Sequence, residues 1–453
     1  MSNTNLTRRG VLKSGAVAGA GVALPTIFTA SSAAAYTNEP TGGTVTLGFN
    51  VPQTGPYADE GADELRAYEL AVEHLNGMGD GGMMNTFSSK ALQGNGILGK
   101  KVEFVTGDTQ TKSDAARASA KSMIEKDGAI MITGGSSSGV AIAVQGLCQE
   151  AGVIFMAGLT HSNDTTGKDK KANGFRHFFN GYMSGAALAP VLKSLYGDDR
   201  KAYHLTADYT WGWSVEKSVR KFTNTENTDA HKGVKTPFPR ALITDFRQAL
   251  EQAEQSGAKV LMMVLFGDDM VRALNVAYEM GLTKKMQVVV PNLTLGMARQ
   301  VGPTIMEGVV GGSPWVWSVP YQYNYARGKE FVEAFSSRYE MRPSTAAASA
   351  YSIVYQYKDA VERTGTTDTR ELIRALEGHR YTFLKDEQYW RDFDHQNIQT
   401  VYVVRVKPRN QIMEDEYSAD YFEIIDSMPG DEAAQTRQEW EARRKEAGQP
   451  LNL

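Results

Sequence analysis

Short apolar runs alternate with stretches of helical spacing through most of the chain, and each run closes on a loop of small or polar residues. Thr44 to Phe49 alternates into an apolar strand that ends in Asn50-Val51-Pro52-Gln53-Thr54-Gly55-Pro56-Tyr57-Ala58. Leu65, Tyr68, Leu70, Ala71, His74 and Leu75 then fall mainly on one helical face, with His74 read as a packed or capping side chain. Residues 77–99 are turn-rich and predict a long surface loop. Lys100 to Gly107 gives a second strand, and Ala115, Ala118, Ala120 and Met123 mark the helix after it. Ala129 to Thr133 is a short apolar run broken by Gly134-Gly135, followed by Val140, Val144, Leu147, Cys148 and Ala151 at helical spacing; Val153 to Ala157 is the next strand. Strand and helix alternate throughout, which predicts an α/β fold with a parallel sheet covered on both faces.

Two of these junctions draw attention. Ser136, Ser137 and Ser138 lie where a strand hands over to a helix N-terminus, a place where free backbone N–H groups, the helix dipole and hydroxyls would receive a carboxylate or other anionic group. The following strand opens into Gly158-Leu159-Thr160-His161-Ser162-Asn163, a second polar rim. Ligands bind at the carboxyl ends of strands in open parallel sheets, so the pairing of the two loops points to a site, although serine N-caps and an ordinary turn would look the same singly.

A second β/α series repeats the first. Lys201 to Thr206 is a strand followed by the aromatic loop Asp208-Tyr209-Thr210-Trp211-Gly212-Trp213; Lys259 to Phe266 leads to Gly267-Asp268-Asp269 at a helix start; Met286 to Val290 ends in Pro291-Asn292-Leu293-Thr294. Each series predicts one lobe, with strand ends from both facing a common cleft. Further on come Trp315 and Trp317, helices near 328–338 and 345–363, and closing strands within 388–407. The last residues, 431–453, are dense in charge around Trp440 and read as a solvated helix or frayed tail.

At 453 residues, 42% hydrophobic and 22% charged, the chain can bury a large core in two or three domains. Thr7-Arg8-Arg9-Gly10-Val11-Leu12-Lys13, then an uncharged Ala/Gly/Val run and Ala33-Ala34-Ala35, predict an export signal at residues 1–35 cleaved near Ala35. The arginine pair gives it a twin-arginine look, with Val11 where Phe is usual. Removing the segment takes away three basic residues and no acid, so the net charge moves from -4 to -7, a poor match to nucleic acid. The one cysteine, Cys148, excludes an intrachain disulfide and a cysteine metal cluster. GxGxxG occurs as Gly94-Asn95-Gly96-Ile97-Leu98-Gly99, in the turn-rich loop and ahead of a strand rather than a helix, and GxSxG as Gly135-Ser136-Ser137-Ser138-Gly139 in the serine junction. There is no GxxxxGK[ST], HExxH or CxxCH, and no catalytic residue, metal or cofactor is expected. An exported cofactor-bearing enzyme and a ligand-sensing module remain the competing classes.

The order of several pieces between residues 44 and 410 resembles the periplasmic solute-binding proteins of the branched-chain amino acid and amide type. Those pieces are Pro52-Gln53-Thr54-Gly55-Pro56-Tyr57, Leu98-Gly99-Lys100-Lys101-Val102, the GGSSSG junction, Phe175-Arg176, Asp208-Tyr209 and Asp394-His395-Gln396. The resemblance implies two Rossmann-like lobes joined by three crossovers near 178–183, 314–319 and 382–390, closing on one small-molecule solute. Lobe one would hold 44–180 plus 319–384, lobe two 181–318 plus 385–425, and the charged tail 426–453. It also implies a periplasmic monomer that serves the membrane permease of an ABC importer. The ligand-anchoring positions carry over to Ser138, with Ser137 beside it, and to Leu159, Thr160 and His161 from lobe one. From lobe two they carry over to Tyr209, Trp211, Phe266 to Asp268, and Asn292.

Asn292 departs from the family, whose amino-acid binders place an acid there for the ligand ammonium. Either Asp208, Asp268 or Asp269 supplies the carboxylate, or the ligand carries no ammonium. Tyr57, Tyr209, Trp211 and Phe266 all fall at strand ends, which favours a carboxylate or amide head on lobe one and an uncharged planar or apolar body against lobe two. Amides, urea-like compounds and aromatic acids are expected ahead of aliphatic amino acids.

Overall fold

In lobe one β1 (Thr44–Val51), β2 (Lys101–Asp108), β3 (Ala129–Gly134), β4 (Ile154–Ala157) and β5 (Gly174–Arg176) make a parallel sheet in the order β2-β1-β3-β4-β5. The computed structural model describes residues 40, 42–78, 89–239 and 241–452. The expected export signal and part of the 77–99 loop lie outside the described residues. β3 and β4 are buried along their whole length, and their alternate residues serve two cores. Met131, Ile154 and Met156 pack on the side of α1 (Ala58–Leu75). Ile132 and Phe155 pack against Ala116, Ala120, Val144 and Cys148 of α2 (Ser113–Glu125) and α3 (Ser138–Ala151). A period of two within an unbroken apolar run is what burial on both faces requires.

Lobe two repeats the arrangement with β6 (Ala202–Ala207), β7 (Gly233–Thr236), β8 (Val260–Val264), β9 (Gln287–Val290) and β10 (Val310–Ser313), interleaved with α4 (Gly181–Tyr196), α5 (Thr210–Phe222), α6 (Ile243–Gln255), α7 (Asp268–Glu279) and α8 (Leu295–Val301). Downstream lie α9 (Ala326–Tyr339), α10 (Thr345–Thr364), α11 (Thr369–Leu376), β11 (Arg380–Thr382), β12 (Glu387–Trp390), β13 (Asn397–Ile398), β14 (Val401–Val406), β15 (Phe422–Met428) and α12 (Arg437–Glu446). The second sheet runs β15-β14-β10-β9-β8-β6-β7, with β14 and β15 added antiparallel.

The chain passes between the sheets three times. The first passage follows Arg176 and the second follows Ser313, as expected. The third comes at Gln399–Thr400 rather than at 382–390, because residues 380–398 first pair as a small antiparallel sheet, β11-β12-β13. That sheet leans on lobe one, where the Trp390 indole donates to Gln356 Oε1 at 3.1 Å. The passages are tied to one another. Lys385, buried, donates to Pro314 O at 2.6 Å and to Thr400 O at 2.7 Å. Arg176 donates to Gln396 Oε1 at 2.7 Å.

The charged C-terminal segment is a docked helix rather than a frayed tail, with most of its charges in solvent. α12 starts with a reciprocal capping box between Thr436 and Glu439, and Trp440 is only 1% exposed. Its indole donates to Thr166 O at 2.9 Å and its ring meets Phe393 at 5.3 Å. Arg444 donates to Gly167 O at 2.6 Å, and Glu439 accepts from the Tyr182 hydroxyl and from Lys221. Trp440 and the buried Arg444 dock the helix, and the other charges lie toward its outer side. Trp440→Ala is expected to cost about 3–5 kcal/mol of stability by chemical denaturation; a change below about 1 kcal/mol would mean the helix contributes nothing to the fold.

Candidate functional site

The loops at the carboxyl ends of β1, β3, β4, β6, β8 and β9 converge between the lobes, and in this structure they touch. The Tyr57 and Tyr209 hydroxyls lie 2.7 Å apart. The Asp268 backbone N–H donates to Pro56 O at 3.0 Å, the Trp211 indole N–H donates to His161 Nδ1 at 3.0 Å, and the Thr294 hydroxyl donates to Glu60. Asp63 faces Arg299 at 3.6 Å. Gly267 permits the approach between lobes, and Gly134 lets β1 and β3 close up within lobe one. Gly134 has φ +113° and a Cβ there would strike Asn50 O; Gly267 has φ +59° and a Cβ would stand 2.5 Å from the Tyr57 ring.

The predicted lobe-one residues are all buried, and two of their three hydroxyls already take part in protein hydrogen bonds. Ser137 is the N-cap residue of α3 and makes no side-chain cap bond. Ser138 Oγ accepts from Ser162 N at 3.1 Å, Thr160 donates to Gly135 O at 2.6 Å, and Ser136 donates to Glu64. Leu159 is buried beside them. His161 is buried with Nε2 lacking a protein partner. Because Nδ1 accepts the Trp211 proton, the neutral ring carries its own proton on Nε2 and offers a donor there. Burial, reinforced by Arg176, holds this imidazole well below its ordinary pKa.

Tyr57 of lobe one and Tyr209, Trp211 and Phe266 of lobe two form one aromatic group. Tyr57 meets Phe266 edge-on at 5.1 Å, Trp211 lies 6.1 Å from Phe266, and Tyr209 stacks on Phe238 at 3.9 Å. Asn292 is buried with Oδ1 unpartnered. Of the three candidate acids, Asp208 is exposed and accepts from the Trp213 indole at 2.8 Å. Asp268 has a half-exposed side chain 3.6 Å from Arg272. Asp269 is buried, with Oδ2 unpartnered, and burial pushes its carboxyl up to about 7. Trp315 is buried at the second passage, while the Trp317 indole donates outward to Ala419 O at 3.1 Å.

Sequence reasoning missed the acids of α1. Glu60, Asp63 and Glu64 are buried on its inward face, while Leu65, expected there, is half-buried. Burial raises Glu60 and Glu64 to about 8, opposed by the hydroxyl bonds from Thr294 and Ser136 respectively, and raises Asp63 as well. The available signal was the spacing Tyr57, Glu60, Glu64, Tyr68, steps of three, four and four that keep one helical face continuous with a buried tyrosine. Among the described residues no grouping of His, Cys, Asp and Glu could hold a metal ion.

A family model described as periplasmic binding protein matches residues 44–411. Leu/Ile/Val-binding protein homolog 7 of Brucella abortus (strain 2308) is 23% identical over 330 residues, which cover 69% of this chain and 74% of that one. A periplasmic binding protein from Burkholderia mallei superposes with a TM-score of 0.75 at 23% identity, covering 87% of this chain and 97% of that one. A solute-binding protein of an ABC transporter from Rhodopseudomonas palustris BisB5, in complex with 3,4-dihydroxybenzoic acid, superposes with a TM-score of 0.71 at 18% identity, covering 86% and 98%.

Proposed function

The chain belongs to the periplasmic binding protein family, and from that premise we propose that it is the substrate-binding component of an ABC importer. It captures one small polar solute between its lobes and presents the closed form to a membrane permease. The observation that carries this is the enclosure of unpartnered polar atoms from both lobes, His161 Nε2 from one and Asn292 Oδ1 and Asp269 Oδ2 from the other. Buried polar atoms are ordinarily satisfied, so a ligand is the natural partner for these. No bond is made or broken in this role. Residues 1–35 supply the export signal, twin-arginine in type, and the mature protein works in the periplasm as a monomer.

Tyr57, Ser137, Ser138, Leu159, Thr160 and His161 form the lobe-one wall of the site, and Tyr209, Trp211, Phe266 and Asn292 line the opposite side. Asp268 guards the rim and Asp269 the interior. Relatives span Leu/Ile/Val-binding proteins and a benzoate-type binder, which supports amino acids, amides, urea-like compounds and aromatic acids as the range to screen.

Closure is the test. A solute that binds the closed form better shifts the equilibrium toward it by that differential affinity. Small-angle scattering of the full chain is expected to give a smaller radius of gyration with saturating solute, and a melting temperature raised by about 2.7 kcal/mol of linkage at 100 times Kd. A solute that binds with no change in the scattering profile would count against a hinged receptor.

A further inference from the structure

Two of the acids buried at the cleft, Glu60 and Glu64, form no ion pair among the described residues. We infer that the solute is an organic cation without a carboxylate, an amine on an apolar body, with its head against Glu60 and Glu64 and its body enclosed by Tyr57, Tyr209, Trp211 and Phe266. The inference rests on the receptor reading above and narrows it.

Two observations carry it. Among the described residues no Lys, Arg or His forms an ion pair with Glu60 or Glu64, whereas Asp63 beside them has Arg66 at 2.8 Å and Arg299 at 3.6 Å. Glu60 Oε2 and Glu64 Oε1 are buried with no hydrogen-bond partner. A buried carboxyl left this way is unfavourable, and a bound cation would supply both charge and donors.

Independently of the acids, the orphaned acceptors of lobe two lean the same way, whereas the lone His161 donor calls for an acceptor on the solute. Asn292 Oδ1 is an acceptor from lobe two, and His161 Nε2 is a lone donor from lobe one. The hydroxyls nearest the acids are partly committed: Ser136 and Thr160 both donate inward, to Glu64 and to Gly135 O, while Ser138 accepts the Ser162 N–H and keeps its own proton. A carboxylate head at this point would lie against the acids of α1, and like charges repel. Finally, tyrosine, tryptophan and phenylalanine faces attract cations, most strongly where water is excluded. Glu60 also reaches across to Thr294 of lobe two, so a cation at this point touches both lobes and favours their closure.

The experiment is a calorimetric titration of the full chain with choline, putrescine and cyclohexylamine against 3,3-dimethylbutan-1-ol, leucine, benzoate and urea. At least one of the amines is expected to bind, and the neutral alcohol of choline's shape is not. Glu60→Gln and Glu64→Gln should each weaken that amine about tenfold or more, and Asn292→Asp should strengthen it. Unchanged circular dichroism of each variant separates lost binding from lost fold, and the strengthening variant is a readout that a merely structural role for the glutamates would not move. Binding of leucine, benzoate or urea with affinity unaltered by Glu64→Gln overturns the amine assignment and leaves the receptor standing. No heat and no thermal shift with any of the seven compounds overturns both.

Discussion

Arg176→Met is expected to lower the unfolding free energy by about 3–5 kcal/mol, more than any single substitution at the cleft surface. The guanidinium is fully buried. It donates from Nε to Gln396 Oε1 at 2.7 Å, from Nη2 to Thr166 Oγ1 at 2.7 Å, and from Nη1 to Ser162 O. Methionine fills similar space and leaves all three acceptors stranded, and buried acceptors without donors lose their full solvation. The three acceptors belong to different parts of the machine: Gln396 precedes the third passage between lobes, Ser162 sits in the lobe-one cleft loop, and Thr166 is in the segment that receives Trp440. The loss should therefore appear as lower stability in urea together with a changed open-to-closed balance in scattering. Arg176→Lys, with one reach instead of a fork, should recover only part of it. A loss below about 1 kcal/mol for the methionine variant would mean that these bonds are replaced by water at little cost.

Arg176 also shows what kind of information the chain carries openly. Phe175-Arg176 and Asp394-His395-Gln396 stand out as separate short motifs, and the fold explains them by bringing them together: Arg176 N donates to His395 O at 3.0 Å, and the Phe175 ring stacks on His395 at 4.0 Å. The β/α order, the parallel sheets and the two lobes were legible because apolar runs buried on both faces are continuous and the loops that end them are rich in small residues. The junction at Ser136 to Ser138 and the aromatic loop at Tyr209 and Trp211 were legible for the same reason.

What was not legible involves charge in the interior. Glu60, Asp63 and Glu64 look like an ordinary solvated helix face, because pattern reading assigns acids to water and cannot see that lobe two closes over them. The C-terminal helix misleads in the same way: its charges mask Trp440, whose partners Thr166 and Phe393 are distant in sequence. The third passage was misplaced because strands as short as Asn397–Ile398 carry no periodicity. Which serine hydroxyls remain free for a ligand depends on three-dimensional partners such as Glu64, which no local spacing reveals.

Those interior acids give the second large expectation: the ligand-free protein should lose about 2–4 kcal/mol of stability as the pH rises from about 6.5 to about 8. Burial holds Glu60 and Glu64 at about 8 and Asp269 at about 7, whereas in the unfolded chain such groups titrate near 4. Their contribution is complete below the unfolded value and is lost as pH climbs through the folded one, because the native state then keeps protons the unfolded state has released. Below about 6.5 an opposite effect enters. Burial depresses His161, His177 and His204, so their contribution is present above the unfolded histidine value and lost as the pH falls. Above about 8, Lys170 and Lys385, each lowered by burial to about 8, release protons in the native state before the unfolded state does, and stability recovers toward pH 10. Urea unfolding across pH 5.5–9.5 should therefore show a maximum near 6.5 and a minimum near 8. Glu60→Gln with Glu64→Gln should flatten the descent, since a glutamine has no proton to lose. A saturating organic cation should flatten it too, by holding both carboxylates ionised in the closed cleft. A wild-type curve that is level or rising between pH 6.5 and 8 would mean that the α1 carboxyls are already ionised in the ligand-free protein, with water or a counter-ion between the lobes.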